Sequence, residues 1–598
     1  MLRRPMASAL LDTPAPSPDA KQPARWAPSP KLGRAELAWV ILGAIALAVL
    51  TSWPLVLHLP SRIAPDLGDP VRTAWQVAWV GHAMLHDPLH LFDANAFYPH
   101  PLSLAFSDSL LGYGPAAFIG HGTVAALVRY NLLFLWAWSL CFVGAYLLAR
   151  ELGLGRIGGA GAGVAFAYAP YRVTEAGHLH VISSGGIPLA LFLLVRGYRR
   201  SSRGLVLAGW LVSAWQVSLG FTLGLQYCYL LAVLTLVAAV YWWLQGRPAL
   251  PRRLLAVTCI GIAVLGVVAI YQARPYLKVA SEYPTAKRTL KEVKNYSAGP
   301  AAWLSASSEN RVWGDVTAGA RAHVHSKNES VFWPGGLILV LAAVGLAAPL
   351  YTRRLRIGLA VGIGVASILA LGMGLTGAGY PYRLLYDFAP GWDGVRVPGR
   401  VFTLATLFYA LLAAAGVQWL ASLAGAWGKR HTVRAAAPIL GGVLLIGLLG
   451  EGAGHLAHPV VPQPKPAEVG LRGPLLDLPS DGAADRVWQY YSTNGFYEIP
   501  IGNSTFDIPQ VDDLRGGMSG FPDKASIEKL RYYGIKTVVL HLTMPKLPGI
   551  VGYALAEPPN VQAAAAKPVA GLGVKRRRVG SLVIYEIGPG PAALHGTD

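Results

Sequence analysis

Leu110-Leu-Gly-Tyr-Gly-Pro-Ala-Ala-Phe-Ile-Gly-His-Gly-Thr-Val-Ala-Ala-Leu-Val128 is the stretch on which the fold turns. It is apolar and close to the ~20 residues that a bilayer crossing needs. Yet Gly112, Gly114, Pro115, Gly120, His121 and Gly122 interrupt it, and glycine and proline both weaken a helix interior. The distribution of charge decides between the two readings. If the stretch does not cross, five basic loops fall on the side of the amino terminus: Arg150 to Arg156, Arg196 to Arg203, Arg247 to Arg253, Arg353 to Arg356 and Lys429 to Arg434. That is the arrangement the positive-inside rule favours. If it crosses, all five go to the wrong face. We therefore read it as a re-entrant or juxtamembrane helix in a long first external loop, a conformation tolerated where protein or water covers the backbone.

Outward from that stretch, the whole chain reads as a polytopic α-helical membrane protein. Of its 598 residues, 53% are hydrophobic and 14% charged, against about 25% charged in soluble proteins. About eleven spans are expected, near residues 36–57, 131–149, 157–170, 182–196, 205–219, 222–244, 254–272, 331–351, 357–375, 400–424 and 435–456. The net charge of +20 would suggest nucleic acid in a soluble protein. Here the Lys and Arg residues sit beside helix ends, where anionic lipid and insertion bias account for them, so nucleic acid is set aside. Cys141, Cys228 and Cys259 all lie in apolar runs without a CxxC pair, which suggests neither disulfides nor a thiolate metal site. Residues 1–34, rich in Pro and Ala, read as a disordered cytoplasmic tail, followed by a retained anchor.

The transmembrane region, 35–456, then carries three long external loops, at 58–130, 272–330 and 376–400. The composition shift after His458 marks a small extracytoplasmic α/β domain over 457–598. Within it Arg486 to Tyr491 alternates like a strand, Lys524 to Tyr533 has helical spacing, and Lys536 to Leu542 reads as a buried strand. Val574 to Arg578 and Leu582 to Ile587 read as a hairpin.

Chemistry is sought on the external side. Asp66 and Asp69, in Pro65-Asp-Leu-Gly-Asp-Pro70, stand just after the first helix. Such a pair can act as general base for a hydroxyl or hold a divalent cation, although an Asp-Gly turn also forms for purely local reasons. Arg172, Glu175, His178 and His180 share one short turn, where cations could grip a phosphate or simply anchor the interface. Gln216 and Gln226 flank a tight turn and could line a pocket or bond helix to helix. Arg396 and Arg400 are a second phosphate-binding choice, the alternative being pairing with Asp387 and Asp393. His82, His86 and His90 recur every four residues, but Pro88 breaks the helix between the last two, so no metal ligands are assigned. No nucleotide-binding fingerprint occurs in a fitting context.

Paired acids after the first helix, juxtamembrane helices, many spans and a carboxyl-terminal external domain resemble the GT-C superfamily of membrane glycosyltransferases. The segments His86-Asp-Pro-Leu-His-Leu-Phe-Asp-Ala-Asn-Ala-Phe-Tyr-Pro-His100, Ala167-Tyr-Ala-Pro-Tyr-Arg172 and Pro390-Gly-Trp-Asp-Gly-Val-Arg-Val-Pro-Gly-Arg400 further resemble uncharacterised bacterial YfhO-like members. The resemblance implies transfer, with inversion, of a sugar from a polyprenyl-phosphate donor to a glycan, lipid or protein acceptor at the outer side of a bacterial plasma membrane. It also implies that Asp66 or Asp69 is catalytic. The first-loop acids of the best-studied branches are often adjacent, whereas two residues separate them here. No cofactor is assigned beyond the divalent cation considered at Asp66 and Asp69. A transporter or flippase of a lipid-linked intermediate and a non-catalytic envelope assembly protein are the competing readings.

Overall fold

The computed structural model describes residues 30–246, 251–327, 329–544 and 560–589. The expected tail up to residue 29 and the start of the basic loop at Arg247 lie outside them. The amino-terminal half contains α1 Arg34–Thr51, α2 Asp69–His86, α3 Gly122–Glu151, α4 Arg156–Ala167, α5 Pro170–Thr174 and α6 Leu179–Ile182. It continues with α7 Gly186–Arg199, α8 Arg203–Val217, α9 Phe221–Leu244 and α10 Arg252–Glu282. Next come α11 Leu290–Asn295, α12 Ala318–Ala322, α13 Gly336–Ala347, α14 Arg353–Ala370, α15 Tyr382–Phe388, α16 Phe402–Arg430 and α17 Ala436–Glu451.

Every apolar run expected to span coincides with one of these helices. Six stretches among the described residues are long and apolar enough to cross a membrane: Arg34–Thr51, Gly122–Glu151, Leu179–Arg199, Phe221–Leu244, Arg252–Glu282 and Pro398–Arg430. The chain is a multi-pass membrane protein. Leu236, Val267 and Ile270, on α9 and α10, point apolar side chains outward, as lipid-facing helices do. Where α13 crosses α16 the backbones touch: a Cβ at Gly345 would lie 1.8 Å from the Leu412 carbonyl oxygen, and one at Gly416 2.1 Å from that of Leu341. Small residues at such crossings let helices pack closely in lipid.

The stretch 110–128 is not a helix of its own. A 3₁₀ turn covers Leu111–Ala117, the backbone reverses through positive φ at Gly120 and Gly122, and α3 starts at Gly122, nine residues before the span expected from 131. The glycines that argued against a crossing are where the chain turns.

Two buried ion clusters tie the helices together at their basic ends. Glu36 on α1 accepts from Arg150 Nε at 2.8 Å, Arg156 Nε at 3.2 Å and the Tyr146 hydroxyl at 2.8 Å. Glu151, at the end of α3, pairs with Arg196 at 2.6 Å and Arg199 at 3.1 Å. The basic ends of α3, α4 and α7 therefore meet, which places the opposite ends of these helices together on the other face.

After α17 the chain forms a four-stranded sheet of β1 Leu475–Leu478, β2 Thr537–His541, β3 Val574–Val579 and β4 Leu582–Ile587, with α18 Ala484–Tyr491, α19 Pro509–Gly517, α20 Lys524–Tyr532 and α21 Val561–Ala566 around it. The strand order is β1-β2-β4-β3, with β1 and β2 parallel. The helix at 524–532, the strand at 537–541 and the hairpin match the sequence reading. Arg486 to Tyr491 does not: it is helical. Asp481 Oδ1 accepts the Ala483 and Ala484 N–H groups at 2.8 and 2.7 Å, which nucleates a helix from its amino end. All eight residues of α18 are buried, yet Asp485, Arg486 and Gln489 fall on one face at helical spacing, a period that the strand reading, starting at Arg486, cut into.

This region packs on the first loop and shares one continuous core with the helices. Asn95 donates to the Ser492 hydroxyl at 2.9 Å and the Tyr497 carbonyl at 2.8 Å, and Tyr490 reaches the Thr123 carbonyl at 2.8 Å.

Candidate active site

Asp66 and Asp69 lie where the chain leaves α1 and enters α2. The Gly68 N–H donates to Asp66 Oδ1 at 2.6 Å, and a Cβ at Gly68 would come within 2.8 Å of that oxygen. Glycine is therefore what lets the carboxylate fold back over the turn. Asp69 is the first residue of α2, with Pro70 behind it. Both suit a helix start: the acid faces the positive end of the dipole, and proline needs no N–H there.

Cations from its own helix and from two distant segments converge on Asp69. Its Oδ2 is 3.0 Å from Arg72 Nη2 and 3.8 Å from His178 Nε2, while its Oδ1 is 3.8 Å from Arg486 Nη2. Arg72 also donates to Asn503 Oδ1 at 2.9 Å. The carboxyl-terminal region thus supplies Arg486 and Asn503 to a site built on the first loop. His178 in turn stands 3.1 Å from Glu175 and 3.5 Å from Glu329, and Arg400 is 3.6 Å from the other Glu329 oxygen. His180 faces Asp108 at 3.5 Å, whose other oxygen accepts the Phe221 N–H at 2.7 Å.

This crowding splits the two acids. Burial pushes the Asp66 carboxyl above its usual range, and the neighbouring Asp69 charge adds to the rise against the Gly68 N–H bond. Burial acts the same way on Asp69, but Arg72, His178 and Arg486 outweigh it and hold that carboxyl far below the usual range. Burial opposes a charge on His178 as well, yet Glu329 and Glu175 overcome it and hold the imidazole up at about 9. At neutral pH the site therefore holds a cationic imidazole, a locked Asp69 carboxylate and a more basic Asp66. Pairs of acids with divided pKa values are a recurring basis for general base work.

A divalent cation at Asp66 and Asp69 would have to compete with Arg72, Arg486 and His178 for Asp69. The nearby donors better grouped for an ion are Glu175, His178 and Glu329, whose ligand atoms all lie within 4.8 Å of one another.

Not every expected residue joins this cluster. Arg172 is fully buried and turns inward, donating to the Ser184 hydroxyl at 2.9 Å and the Ile182 carbonyl at 2.6 Å. Its guanidinium also lies over the Trp138 and Phe166 rings. These contacts brace the segment that follows His178 and turn the guanidinium away from the Asp69 cluster, where a phosphate role had been expected. We expect Arg172→Met to lower the thermal stability of the purified protein, by about 1–3 kcal/mol for the buried hydroxyl and carbonyl left without their donor, while any surviving folded fraction keeps its substrate affinity. Gln216 donates to the Ser183 carbonyl at 2.9 Å, the helix-to-helix role weighed above. Gln226 is buried, and neither atom of its amide has a hydrogen-bond partner among the described residues.

Arg396 sits at the edge. It stacks over Tyr296 at 4.3 Å and pairs with Glu292 at 3.5 Å, whereas Asp387 pairs with Arg383. His82, His86 and Phe496 form a ring stack. Arg72, Asp108, Glu329, Arg486 and Asn503 were not singled out from sequence. Only Arg72 had a local signal, being three residues beyond Asp69 on one helix face.

No family model and no curated protein sequence matches the chain. Solved structures do. The arabinofuranosyltransferase AftD from Mycobacteria aligns with a TM-score of 0.58 at 16% identity over 94% of this chain. The chain shares the fold of that structure. An oligosaccharyltransferase of Archaeoglobus fulgidus (TM-score 0.41, 12% identity, 85% of this chain and 69% of that one) and ArnT from Cupriavidus metallidurans (0.36, 15%, 93% and 100%) also match. This chain spans 40% of the length of the AftD structure. The finer resemblance to YfhO-like members stays an expectation of the sequence.

Proposed function

We propose that the chain is a membrane glycosyltransferase that moves a sugar from a polyprenyl-phosphate carrier to an extracytoplasmic acceptor, a glycan, lipid or protein, with inversion at the anomeric carbon. The observation that carries this reading is the meeting of Asp69 with Arg72, His178 and Arg486, close enough to Asp66 to act on its charge, and with Arg400 joined to His178 through Glu329. Glycosyl transfer from a phosphate needs a base for the acceptor hydroxyl and cations for the departing phosphate in one place.

In this mechanism Asp66 takes the proton of the acceptor hydroxyl, whose oxygen attacks the anomeric carbon. The bond from that carbon to the phosphate oxygen breaks, and its electron pair leaves with the phosphate. His178 and Arg400 stabilise the charge that grows there. Asp69 does not take the proton; it aligns Arg72, Arg486 and His178. The acids lie away from the basic helix ends, so the positive-inside rule supports an extracytoplasmic site in a bacterial inner membrane, with the amino terminus cytoplasmic.

The test is transfer in proteoliposomes from a panel of polyprenyl-phosphate pentoses and hexoses to envelope glycan. The wild type transfers one of them, and the Asp66→Asn, Asp69→Asn double variant does not. A double variant that works at the wild-type rate removes the proposal.

A further inference from the structure

Strand alternation sends Asp477 and His541 to one face of the carboxyl-terminal sheet. In the parallel pair of β1 and β2, Asp477 lies opposite Val539, so Asp477, Val539 and His541 share a face. Leu475, Leu582 and Ile584 pack on that face, and Ala467 and Leu471 close over it. The closing segment brings Glu468 to the same point. His541 Nε2 is 2.9 Å from Asp477 Oδ1 and 3.5 Å from Glu468 Oε1. The relative exposures of His541, Asp477 and Glu468 are 3%, 2% and 6%. Trp488 stacks on the imidazole with ring centres 4.2 Å apart.

These groups do not satisfy one another. One imidazole nitrogen carries at most one proton, enough for one carboxylate oxygen. Asp477 Oδ2 and Glu468 Oε1 have no hydrogen-bond partner among the described residues. Glu468 Oε2 accepts the Lys465 backbone N–H at 2.5 Å, but the Lys465 ammonium is bonded to the Ser581 hydroxyl. Two sealed carboxylates facing one imidazole, with oxygens left over, are costly unless a cation lies between them.

We propose that Glu468, Asp477 and His541 bind a Zn²⁺ ion that staples the segment before β1 to the sheet. Their donor atoms all lie within 4.8 Å of one another. Zinc bonds of about 2.0–2.2 Å to nitrogen and oxygen give a tetrahedral edge of about 3.3 Å, so small side-chain movements close the site. A set that mixes imidazole with carboxylates suits zinc, whereas Mg²⁺ and Ca²⁺ prefer oxygen throughout. The staple is independent of the transferase reading, although α18 carries both Trp488, on the imidazole, and Arg486, on Asp69.

The experiment uses the full chain in detergent, stripped with a chelator and reloaded with Zn²⁺, Mg²⁺ or Ca²⁺ alone. Bound metal is read by mass spectrometry and stability by Tm. We expect about one zinc per chain and a Tm raised by Zn²⁺ only. Asp477→Asn and His541→Gln weaken zinc binding about tenfold or more, while the Asp66→Asn, Asp69→Asn double variant keeps its zinc. A stripped wild type that takes up no zinc overturns the proposal without recourse to any variant. So does an Asp477→Asn protein that holds as much zinc as the wild type, or a response to Ca²⁺ or Mg²⁺ equal to that for Zn²⁺.

Discussion

Asp66→Asn lowers kcat by about 10²- to 10⁴-fold, the range for a lost general base, with little change in donor affinity. The amide oxygen of Asn can still accept the Gly68 N–H, so the turn is kept while the proton acceptor is removed. That loss corresponds to about 3–5.5 kcal/mol of barrier. Asp69→Asn behaves differently. Asp69 is engaged by Arg72 at 3.0 Å and flanked by His178 and Arg486, so its removal leaves those cations without their shared partner. The expected result is a rise in KM and a lower Tm alongside a smaller fall in kcat. Steady-state kinetics on both single variants separates the roles. Equal losses of kcat in the two would contradict the assignment of Asp66 as the base.

The second large effect lies on the alkaline side. His178→Gln lowers kcat by about 10²- to 10³-fold, the usual range for loss of one group that stabilises a leaving charge. In the wild type the imidazole must be cationic to receive the phosphate. Activity therefore holds through neutral pH and falls as pH rises through about 9. On the acid side it falls as Asp66 protonates, at a pH above that of an ordinary carboxylate. Glu329→Gln removes the strongest of the influences that hold His178 up, and the alkaline limb of the pH profile moves to lower pH. Stability follows the same sign. The folded value exceeds the unfolded one of about 6.5, so this contribution is complete below about 6.5 and is lost as pH rises through about 9. An alkaline limb that does not move in Glu329→Gln rules out His178 as its origin.

The apolar helices were legible because lipid-facing and bundle-facing helices both announce themselves by continuous hydrophobicity. The break at Gly120 and Gly122 was legible because glycine carries its conformational freedom in its identity. Asp66, Asp69, Glu175, His178 and Arg400, which the fold brings near one another, stood out in the sequence because acids and cations at helix ends are rare. Arg172 stood out for the same reason but turns into the bundle, since nothing in the sequence tells which way a guanidinium at a helix end points. Glu329 and Arg486 were hidden by distance. Their importance comes from a long loop and the carboxyl-terminal region folding back onto the first loop, and no local pattern records a contact made more than 150 residues away. The helix at Arg486 was missed because a window starting at Arg486 leaves out Asp485, which with Arg486 and Gln489 completes the polar face of a helix only two turns long.

The central claim is that the first-loop acids and the surrounding cations form one pocket for a lipid-linked phosphate. A structure with a non-transferable polyprenyl-phosphate sugar analogue tests it directly. Phosphate oxygens are expected within ~3 Å of His178 or Arg400 nitrogens, with the anomeric carbon facing Asp66. A donor phosphate bound elsewhere, with Asp66 and Asp69 remote from the sugar, would contradict it.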